Sequence, residues 1–514
     1  MVEFRNTDFL KDAGGATRGV AAPRLRAAAE RWPQSRSRHV GKGIAPRCIV
    51  EMMPGNISKK AAWGISCSAM GWILDILYLL GLLAVSPALL VKSLRTGKYR
   101  SDWPGRLGRI NKQARMAPAG SVNSPPARRL LIHCVSVGEL LSTRRLVEEL
   151  LGLNSALIIF ISTTTDTGVQ RAQAIYADDA TGRVRTVRYP LDFSFAVRRF
   201  LKNIRPDMIV LVELETWPNF IFTAARRSIP IRIINGRITA RSFRRYRLVR
   251  PIMAAMFRRI EHFGVQTQSI AARFAALGAP ADRIEVIPTL KYDTADFSDA
   301  VPGAAELAAA VGIIPEHALL VGGSTGPGEQ ESLLECYLAL RRKQPTLRLA
   351  IAPRKPEVIP RVIADIKRAG LAPLLRSEHP DGRVPPAGRL GPDAVLVLNT
   401  MGELKKLYSL ATMVFSGRSL VKLGGSDMIE AAAMGKPCCF GPHTYNFDQI
   451  VQLLLADDGA VAVKNTAELT RQVESWLANP RAAGEMGRRA SACLAAQRGA
   501  TKRYARQLIE RLRE

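Results

Sequence analysis

Carboxylates follow apolar runs in the first half of the chain, at positions where they could move a proton. Glu139 comes just after the apolar run 128–137, and Glu213 and Glu215 end another such run. A carboxylate held in a cleft can take the proton of a hydroxyl group, which is the task of a general base. Glu139 also has the spacing of a helix capping box with Ser136, so the residues leave a purely structural role open.

Glycine-rich turns follow the apolar runs of the second half. Segment 322–328 carries Ser324 and Thr325 and precedes a helical pattern, so its N–H groups could cradle a phosphate. No Lys follows its last Gly, which excludes the P-loop pattern. Arg354 could place a guanidinium on a leaving phosphate. Glu430, one turn into a helix of small residues, could accept hydrogen bonds from a ribose or serve as a helix cap.

Short strands and helices alternate along the chain and must position these groups. Near-continuous apolar strands separated by amphipathic helices begin at about residue 128, and the same pattern restarts after residue 296. Such strands are typical of parallel sheets that are covered on both faces. We therefore predict an α/β protein with two Rossmann-like domains facing a cleft. Ligands of such sheets lie beyond the carboxyl ends of the strands, where the polar residues above stand.

The charge of the chain restricts its partners. It carries 74 Lys and Arg against 44 Asp and Glu over 514 residues, a formal net charge of +30. This excess calls for an anionic partner such as nucleic acid, a membrane surface or a phosphorylated substrate. Aromatic residues make up only 6% of the chain, and the sequence contains no recognisable motif of a nucleic-acid-binding domain. Both observations argue against nucleic acid as the partner. The seven cysteines form no CxxC pair, so neither a disulfide framework nor a zinc site is expected.

Residues 70–91 form one long apolar stretch with a basic cluster behind it. About 20 apolar residues suffice to cross a ~30 Å hydrocarbon core as a helix. We therefore predict a single-pass membrane anchor, with the basic flank and the domains that follow it on the cytoplasmic side. Asp75 and Pro87 suit the middle of a span poorly, so a buried core helix is the alternative. Residues 1–69 are basic and aperiodic, which predicts disorder, and they represent either a start assigned too early or a targeting arm.

Taken in order, the motifs resemble those of the 3-deoxy-D-manno-octulosonic acid (Kdo) transferases of lipopolysaccharide and lipid A assembly. The likeness runs from about residue 72 to 510 and rests on the anchor and on the motifs Ser136-Val137-Gly138-Glu139, Glu213-x-Glu215-x-Trp217-Pro218-Asn219, Ser324-Thr325, Pro353-Arg354, Met401-Gly402-Glu403-Leu404, Gly424-Gly425-x-x-x-x-Glu430 and Gly441-Pro442-His443-Thr444-x-Asn446-Phe447. The resemblance implies the GT-B fold and an inverting transfer of Kdo from CMP-Kdo to a lipid A precursor, lipid IVA. It implies no metal and no bound organic cofactor.

The resemblance also assigns residues to roles. It makes Glu139 the general base and places acceptor-binding residues at Glu213, Glu215 and Arg237. The donor-binding residues that it implies are Ser324, Thr325, Arg354, Met401, Gly402, Glu403, Gly424, Gly425, Glu430 and Asn446. The expected domains are a basic extension (1–69), the anchor helix and its flank (70–120), the acceptor domain (121–295) and the donor domain (296–514).

Six arginines crowd the segment that follows the apolar run 229–235, and they are Arg237, Arg241, Arg244, Arg245, Arg247 and Arg250. Like charges this close repel one another unless anions lie nearby. We therefore assign Arg241 and its neighbours to the phosphates of the acceptor or to anionic lipid head groups. A solvated basic helix face is the alternative.

The chain departs from the family pattern mainly in its donor half. Gly326 and Lys355 stand where the family usually has His, Ser426-Asp427 where it has His-Asn, and Arg418 where it has Gly. These differences leave open a related transferase that moves another activated sugar onto a membrane lipid. A catalytically inactive scaffold and a basic nucleic-acid binder are the remaining alternatives.

Overall fold

The computed structural model describes residues 75–76, 78–81, 83, 86, 102–111, 127–177, 179, 181–298, 300–380 and 390–514. These residues all belong to one compact unit, 65–514. The predicted extension 1–69 and most of the basic flank lie outside the described residues. Two lobes, each built on a parallel sheet, make up the described part.

The first lobe is built on seven parallel strands in the order β3-β2-β1-β4-β5-β6-β7. Their bounds are β1 (Arg129–His133), β2 (Ile158–Thr163), β3 (Val184–Arg188), β4 (Met208–Val212), β5 (Ile231–Gly236), β6 (His262–Val265) and β7 (Ile284–Val286). The central strand β1 pairs on both sides, with Leu131 opposite Phe160 of β2 and Ile209 of β4. All five residues of β4 are buried, as the apolar run predicts.

Helices cover both faces of this sheet. They are α1 (Trp103–Arg106), α2 (Val137–Leu153), α3 (Asp166–Ile175), α4 (Ser194–Ile204), α5 (Pro218–Arg226), α6 (Ala240–Leu248), α7 (Arg250–Phe257) and α8 (Gln268–Ala276). The core on one face includes Phe160, Phe200 and Phe220. Ile110, which follows α1, is buried in that same core, so the segment expected to flank the anchor packs into the first lobe.

The second lobe repeats the design with the strand order β10-β11-β9-β8-β12-β13-β14. Its strands are β8 (Ala318–Thr325), β9 (Leu347–Pro353), β10 (Ala372–Leu375), β11 (Ala394–Val397), β12 (Met413–Ser416), β13 (Cys438–Phe440) and β14 (Ala460–Ala462). The short helix α9 (Lys291–Thr294) connects the two lobes. The helices that follow are α10 (Ala304–Val311), α11 (Glu329–Leu340), α12 (Ile359–Arg368), α13 (Leu404–Leu410), α14 (Ile429–Ala433), α15 (Asp448–Ala456), α16 (Thr466–Ala478), α17 (Pro480–Ala496) and α18 (Ala500–Arg513). Two wound parallel sheets confirm the predicted pair of Rossmann-like domains.

The last helix, α18, crosses back to the first lobe. Tyr504 and Leu508 are buried among first-lobe residues such as Leu130. The Tyr504 hydroxyl accepts a hydrogen bond from the N–H of Asn235 at 3.1 Å. The Asp293 carboxylate, in α9 between the lobes, accepts the N–H of Thr501 at 2.6 Å and so fixes the start of α18. The expected donor domain, 296–514, therefore includes one helix that packs on the first sheet.

The membrane anchor expected over 70–91 is described at eight positions only, and all eight are helical. No helix within the described residues is long and apolar enough to cross a bilayer. The described apolar side chains of this segment include Ile76, Leu79, Leu80 and Leu83, which are 50–59% exposed. That exposure argues against the alternative of a buried core helix at these positions.

Candidate active site

The side chain of Glu139 lies at the start of α2, where the chain leaves β1. Its carboxylate accepts hydrogen bonds from the N–H of Val135 and the hydroxyl of Ser136, both at 2.8 Å. The Ser136 hydroxyl in turn accepts the N–H of Glu139 at 3.3 Å, as the N-cap of α2. The helix-capping role left open by the sequence is therefore present, and it fixes the carboxylate at the carboxyl edge of the sheet.

The environment of Glu139 also changes its acidity. Burial raises the pKa of Glu139 to about 8, and the nearby carboxylates of Glu213 and Glu215 add to that rise. The hydrogen bonds from Val135 and Ser136 act in the opposite direction. A carboxyl group whose pKa lies near neutrality is matched to proton transfer at physiological pH. The capping contacts of Glu139 are thus compatible with proton transfer by the same side chain.

The two carboxylates beside Glu139 follow strand β4. Glu213 has left-handed backbone, with φ 61°, and its N–H donates to the carbonyl of Ile234 at 3.0 Å. A non-glycine residue in this conformation is uncommon and is concentrated at functional sites. The Glu215 carboxylate accepts the indole N–H of Trp217 at 3.2 Å.

Helix α5 is capped by a different carboxylate. Asp192 accepts the N–H groups of Asn219 and Phe220, both at 2.9 Å, at the first turn of α5. These are the orphan donors that a cap must satisfy. Asp192 therefore caps the first turn of α5.

A glycine loop and a polar loop meet in the second lobe. Gly424 and Gly425 both have left-handed backbone, with φ 86° and 82°. A Cβ on Gly424 would stand 2.1 Å from the side-chain nitrogen of Asn446. The N–H of Asn446 donates to the carbonyl of Gly424 at 3.1 Å. The fold therefore brings these three predicted donor residues together, and the contact requires glycine at 424.

Other predicted donor residues lie at the ends of β8 and β9. The N–H of Arg354 donates to the carbonyl of Thr325 at 3.1 Å, and Ser324 has left-handed backbone, with φ 51°. Glu430 has its pKa raised, first by desolvation in its protein surroundings and then by the charge of Asp427. The positive charge of Arg354 opposes that rise, which places its guanidinium near Glu430.

The turn 324–328 does not present the amides expected for a phosphate cradle. The N–H of Gly326 donates to the Glu329 carboxylate at 2.7 Å, and the N–H of Gly328 donates to the side-chain oxygen of Gln330 at 3.0 Å. Both donors are thus satisfied by the first residues of α11. The phosphate-cradle interpretation of this turn is wrong for these two amides.

The segment Met401–Glu403 follows β11. Met401 is 87% exposed, and Gly402 has left-handed backbone, with φ 87°. The Glu403 carboxylate accepts hydrogen bonds from the Arg376 guanidinium at 3.1 Å and from the Thr400 hydroxyl at 2.5 Å. Glu403 therefore already has partners that hold this turn.

The predicted acceptor arginines lie in two different places. The Arg237 guanidinium donates to the main-chain carbonyl of Asn446 and so joins the first lobe to the second. Arg241 is exposed on α6, a helix with no buried residue. The structure thus places Arg237 between the lobes and Arg241 on a basic surface.

A second bridge between the lobes was missed at the level of sequence. The ammonium group of Lys291 pairs with the Asp427 carboxylate at 2.6 Å and lies 5.6 Å from the centre of the Phe447 ring. The Asp427 charge raises the pKa of Lys291. Burial acts to raise the pKa of Asp427, but the charge and hydrogen bond of Lys291, the N–H of Ile429 and the charge of Arg237 together hold that pKa below its usual range. The motif Leu-Lys-Tyr-Asp at 290–293 could have drawn attention to Lys291, but the sequence does not indicate that Asp427 is its partner.

The geometry defines a class of enzyme. Two Rossmann-like lobes join through Arg237 and Lys291, with the Glu139 carboxylate at the edge of the first sheet and a glycine loop in the second lobe. This is the architecture of the GT-B glycosyltransferases. Within the described residues, no group of three His, Cys, Asp or Glu side chains could hold a metal ion.

Comparisons with known proteins identify the family. Residues 101–294 match the family model described as "3-Deoxy-D-manno-octulosonic-acid transferase (kdotransferase)". The 3-deoxy-D-manno-octulosonic acid transferase of Haemophilus influenzae is 30% identical over 80% of this chain and 91% of its own length. That of Bordetella pertussis is 30% identical over 79% and 91%. The chain therefore belongs to the Kdo transferase family and is a glycosyltransferase.

Solved structures support the fold. The crystal structure of UDP-GlcNAc 2-epimerase from Neisseria meningitidis bound to UDP-GlcNAc matches with a TM-score of 0.53 and 12% identity. The match covers 74% of this chain and all of that chain. At this identity the likeness concerns the two-lobed fold alone.

Proposed function

We propose that this enzyme moves Kdo from CMP-Kdo to a lipid A precursor, lipid IVA, at the cytoplasmic face of the inner membrane. Membership of the Kdo transferase family supports the sugar. The observation that carries the chemistry is Glu139, whose carboxyl has a pKa of about 8 at the sheet edge beside Glu213 and Glu215.

The reaction is a direct displacement. Glu139 takes the proton of an acceptor sugar hydroxyl, and the oxygen attacks the anomeric carbon of Kdo. The bond between that carbon and the phosphate oxygen of CMP breaks, and CMP leaves with the electron pair. Attack from the opposite side inverts the configuration at the anomeric carbon. A positioned base of this kind typically contributes ~10² to 10⁴ in rate.

The second lobe is proposed to hold the donor. Arg354 is the cation for the phosphate, because its main chain is fixed against Thr325 and its side chain is exposed. Glu430 is the acceptor for the ribose hydroxyls, and the loop of Gly424 and Gly425 lies beneath the nucleotide. Ser324, Thr325 and Asn446 complete the donor edge, with Met401, Gly402 and Glu403 at its far end.

The acceptor and the membrane are assigned to the first lobe. Glu213 and Glu215 lie beside Glu139, where the acceptor sugar must reach the base. The exposed arginines of α6 suit the phosphates of a lipid A precursor or anionic head groups. The exposed apolar side chains between residues 76 and 83 suit the lipid itself.

One observation favours a second candidate, a transfer of another activated sugar. Arg418 has left-handed backbone, with φ 60°, at a position where the family usually has Gly. An Arg that keeps this strained conformation suggests that its side chain has a task at the donor edge. In this second candidate, that task is the recognition of a different sugar.

An assay with purified full-length enzyme separates these possibilities. The enzyme is incubated with CMP-Kdo and a tetraacyl lipid A precursor, and product mass is followed. We expect a product heavier by one or more Kdo units. If CMP-Kdo gives no product while another nucleotide sugar does, the second candidate replaces the first. Failure of every sugar tested would point to the inactive scaffold.

A further inference from the structure

Glu329, the first residue of α11, carries a carboxylate that is fully enclosed by backbone amides. The residue is 1% exposed. One oxygen accepts the N–H groups of Gly326 at 2.7 Å and Arg418 at 2.5 Å. The other accepts those of Ser419 at 2.7 Å and Leu420 at 2.9 Å. Four N–H donors converging on one carboxylate form an anion-binding nest that the protein fills with its own side chain.

These donors come from two segments that are distant in sequence. Gly326 lies in the turn after β8, whereas Arg418, Ser419 and Leu420 follow β12. Ser324 and Thr325, the last residues of β8, lead directly into this turn and belong to the proposed donor edge. Because each carboxylate oxygen accepts from the segment after β12, while one of them also accepts from Gly326, Glu329 fixes the distance between the two segments.

A third segment is attached through Ser419. The Ser419 hydroxyl accepts the N–H of Gly441 at 2.8 Å, and its carbonyl accepts the N–H of His443 at 2.9 Å. This segment continues to Asn446, which packs against the glycine loop at 424. One buried carboxylate therefore supports, directly or through Ser419, three turns at the carboxyl edge of the second sheet.

Burial of a charge is costly unless hydrogen bonds replace its hydration. An apolar side chain at the start of α11 would leave these four N–H groups without their acceptor, so the turns depend on an acceptor at this position. The donors belong to turns that would otherwise present their amides to solvent or to a ligand.

We propose that Glu329 is a positioning residue for the donor site. Its carboxylate holds the turns after β8, β12 and β13 in the arrangement that binds the nucleotide sugar. This inference rests on the proposed donor site at that edge. It predicts that loss of the charge weakens donor binding while the acceptor half of the enzyme keeps its affinity.

The variant E329Q tests this with little change in shape. An amide supplies one oxygen and one NH₂ group, so two of the four N–H groups lose their acceptor in either orientation. We expect the KM for CMP-Kdo to rise at least about tenfold, because unsatisfied buried donors are costly. We expect the KM for the lipid acceptor to stay within about twofold. Neither KM depends on the fraction of enzyme that is folded.

The matched control is E331Q, two residues further along α11. The Glu331 carboxylate pairs with Arg361 at 3.0 Å on an exposed face, with side chains 53% and 58% exposed. We expect both KM values of this variant to equal those of the wild type. Equal KM values for CMP-Kdo in E329Q and E331Q would overturn the inference.

Rescue by a small carboxylate separates positioning from general damage. E329A leaves the nest without its anion, and formate can enter it. We expect formate to lower the KM of E329A for CMP-Kdo, while sodium chloride of equal ionic strength leaves it unchanged. Absence of any formate effect in folded E329A would count against the nest. If the wild-type enzyme does not use CMP-Kdo at all, the proposed function fails, and the inference about this donor fails with it. If the wild-type enzyme turns over CMP-Kdo normally and E329Q has an unchanged KM for CMP-Kdo, only the inference about Glu329 fails.

Discussion

The Asp75 carboxylate caps helix α4 from a segment 119 residues earlier in the chain. It accepts the N–H of Ser194 at 2.8 Å and the Ser194 hydroxyl at 2.5 Å. The residue at the N-cap position itself, Phe193, supplies no side-chain cap. The same carboxylate accepts the side-chain N–H of Asn219 at 3.0 Å. Asp75 interrupts the apolar run 70–91, and its hydrogen bonds to Ser194 of the first lobe explain why an acidic residue stands there.

Replacement of Asp75 should destabilise the first lobe. In Asp75→Ala the N-terminal donors of α4 lose their acceptor, and we expect the free energy of unfolding to fall by about 1 to 2 kcal/mol. Denaturant unfolding in detergent measures the change. Leu79→Ala is the control, because Leu79 lies in the helical segment that carries Asp75 and is 50% exposed. Its replacement should change the free energy of unfolding by less than about 0.5 kcal/mol. Equal losses in the two variants would contradict the capping role.

The contact between Asp75 and Ser194 also illustrates which features of the fold could be predicted from the sequence and which could not. Strand β4 is buried throughout and was predicted from its apolar run. By contrast, β3 has the sequence Val-Arg-Thr-Val-Arg and lies at the edge of its sheet, so no apolar run indicates it. The cap on Ser194 and the amides around Glu329 join residues far apart in sequence. No local spacing encodes such contacts, whereas Ser136 and Glu139 are three residues apart and could be paired from sequence.

Glu139 should be required for turnover and dispensable for donor binding. In Glu139→Gln the amide cannot take a proton, so we expect kcat to fall by ~10² to 10⁴. The KM for CMP-Kdo should stay close to that of the wild type, because the donor is held by the second lobe. Glu148→Gln is the control, since Glu148 is exposed on the same helix and pairs with Arg144. A Glu139→Gln enzyme within tenfold of wild type would leave only the capping role.

The pH dependence of the reaction should report the carboxyl of Glu139. This pKa is raised to about 8, so the base is protonated below that pH, and kcat/KM should rise as the pH increases through about 8. Glu213 contributes to that raised pKa through its negative charge. Glu213→Gln removes the charge, lowers the pKa of Glu139 and should move the rising limb to lower pH. The pKa comes from the shape of the profile, so a lower maximum rate does not affect it. An unmoved limb would show that Glu213 and Glu139 are not coupled.

Gly424→Ala should disturb the donor edge more than backbone strain alone explains. Left-handed backbone costs a non-glycine residue ~1 to 2 kcal/mol. At Gly424 a Cβ would also meet the Asn446 side chain at 2.1 Å. Gly370→Ala is the matched control, because Gly370 has φ 73° and a Cβ there meets nothing within 4 Å. We expect both variants to lose stability, but only Gly424→Ala to raise the KM for CMP-Kdo. A similar KM in both would show that the contact with Asn446 is irrelevant to the donor.

The basic surface of α6 should contact anions, and removal of its positive charges tests this prediction. Arg241, Arg244 and Arg245 are exposed on a helix that buries no residue, beside Leu248, which is 84% exposed. Exposed like charges on one helix repel, and bound phosphate removes that cost. Neutralising the three arginines to Gln should raise the KM for the lipid acceptor and leave the KM for CMP-Kdo unchanged.

A variant with the same loss of charge elsewhere, and separate assays for the acceptor and for lipid head groups, show which phosphate α6 binds. Neutralising Lys502, Arg506 and Arg513, three exposed residues of α18, removes the same charge and should change neither KM. Arg241→Lys alone should weaken a direct contact, because Lys cannot form the two-pronged pair with phosphate. If the acceptor KM rises with detergent-dispersed acceptor, α6 binds the acceptor itself. If instead only binding to anionic vesicles falls, α6 binds head groups. Wild-type behaviour in both assays at low salt, where exposed charges act most strongly, would leave α6 as a solvated surface.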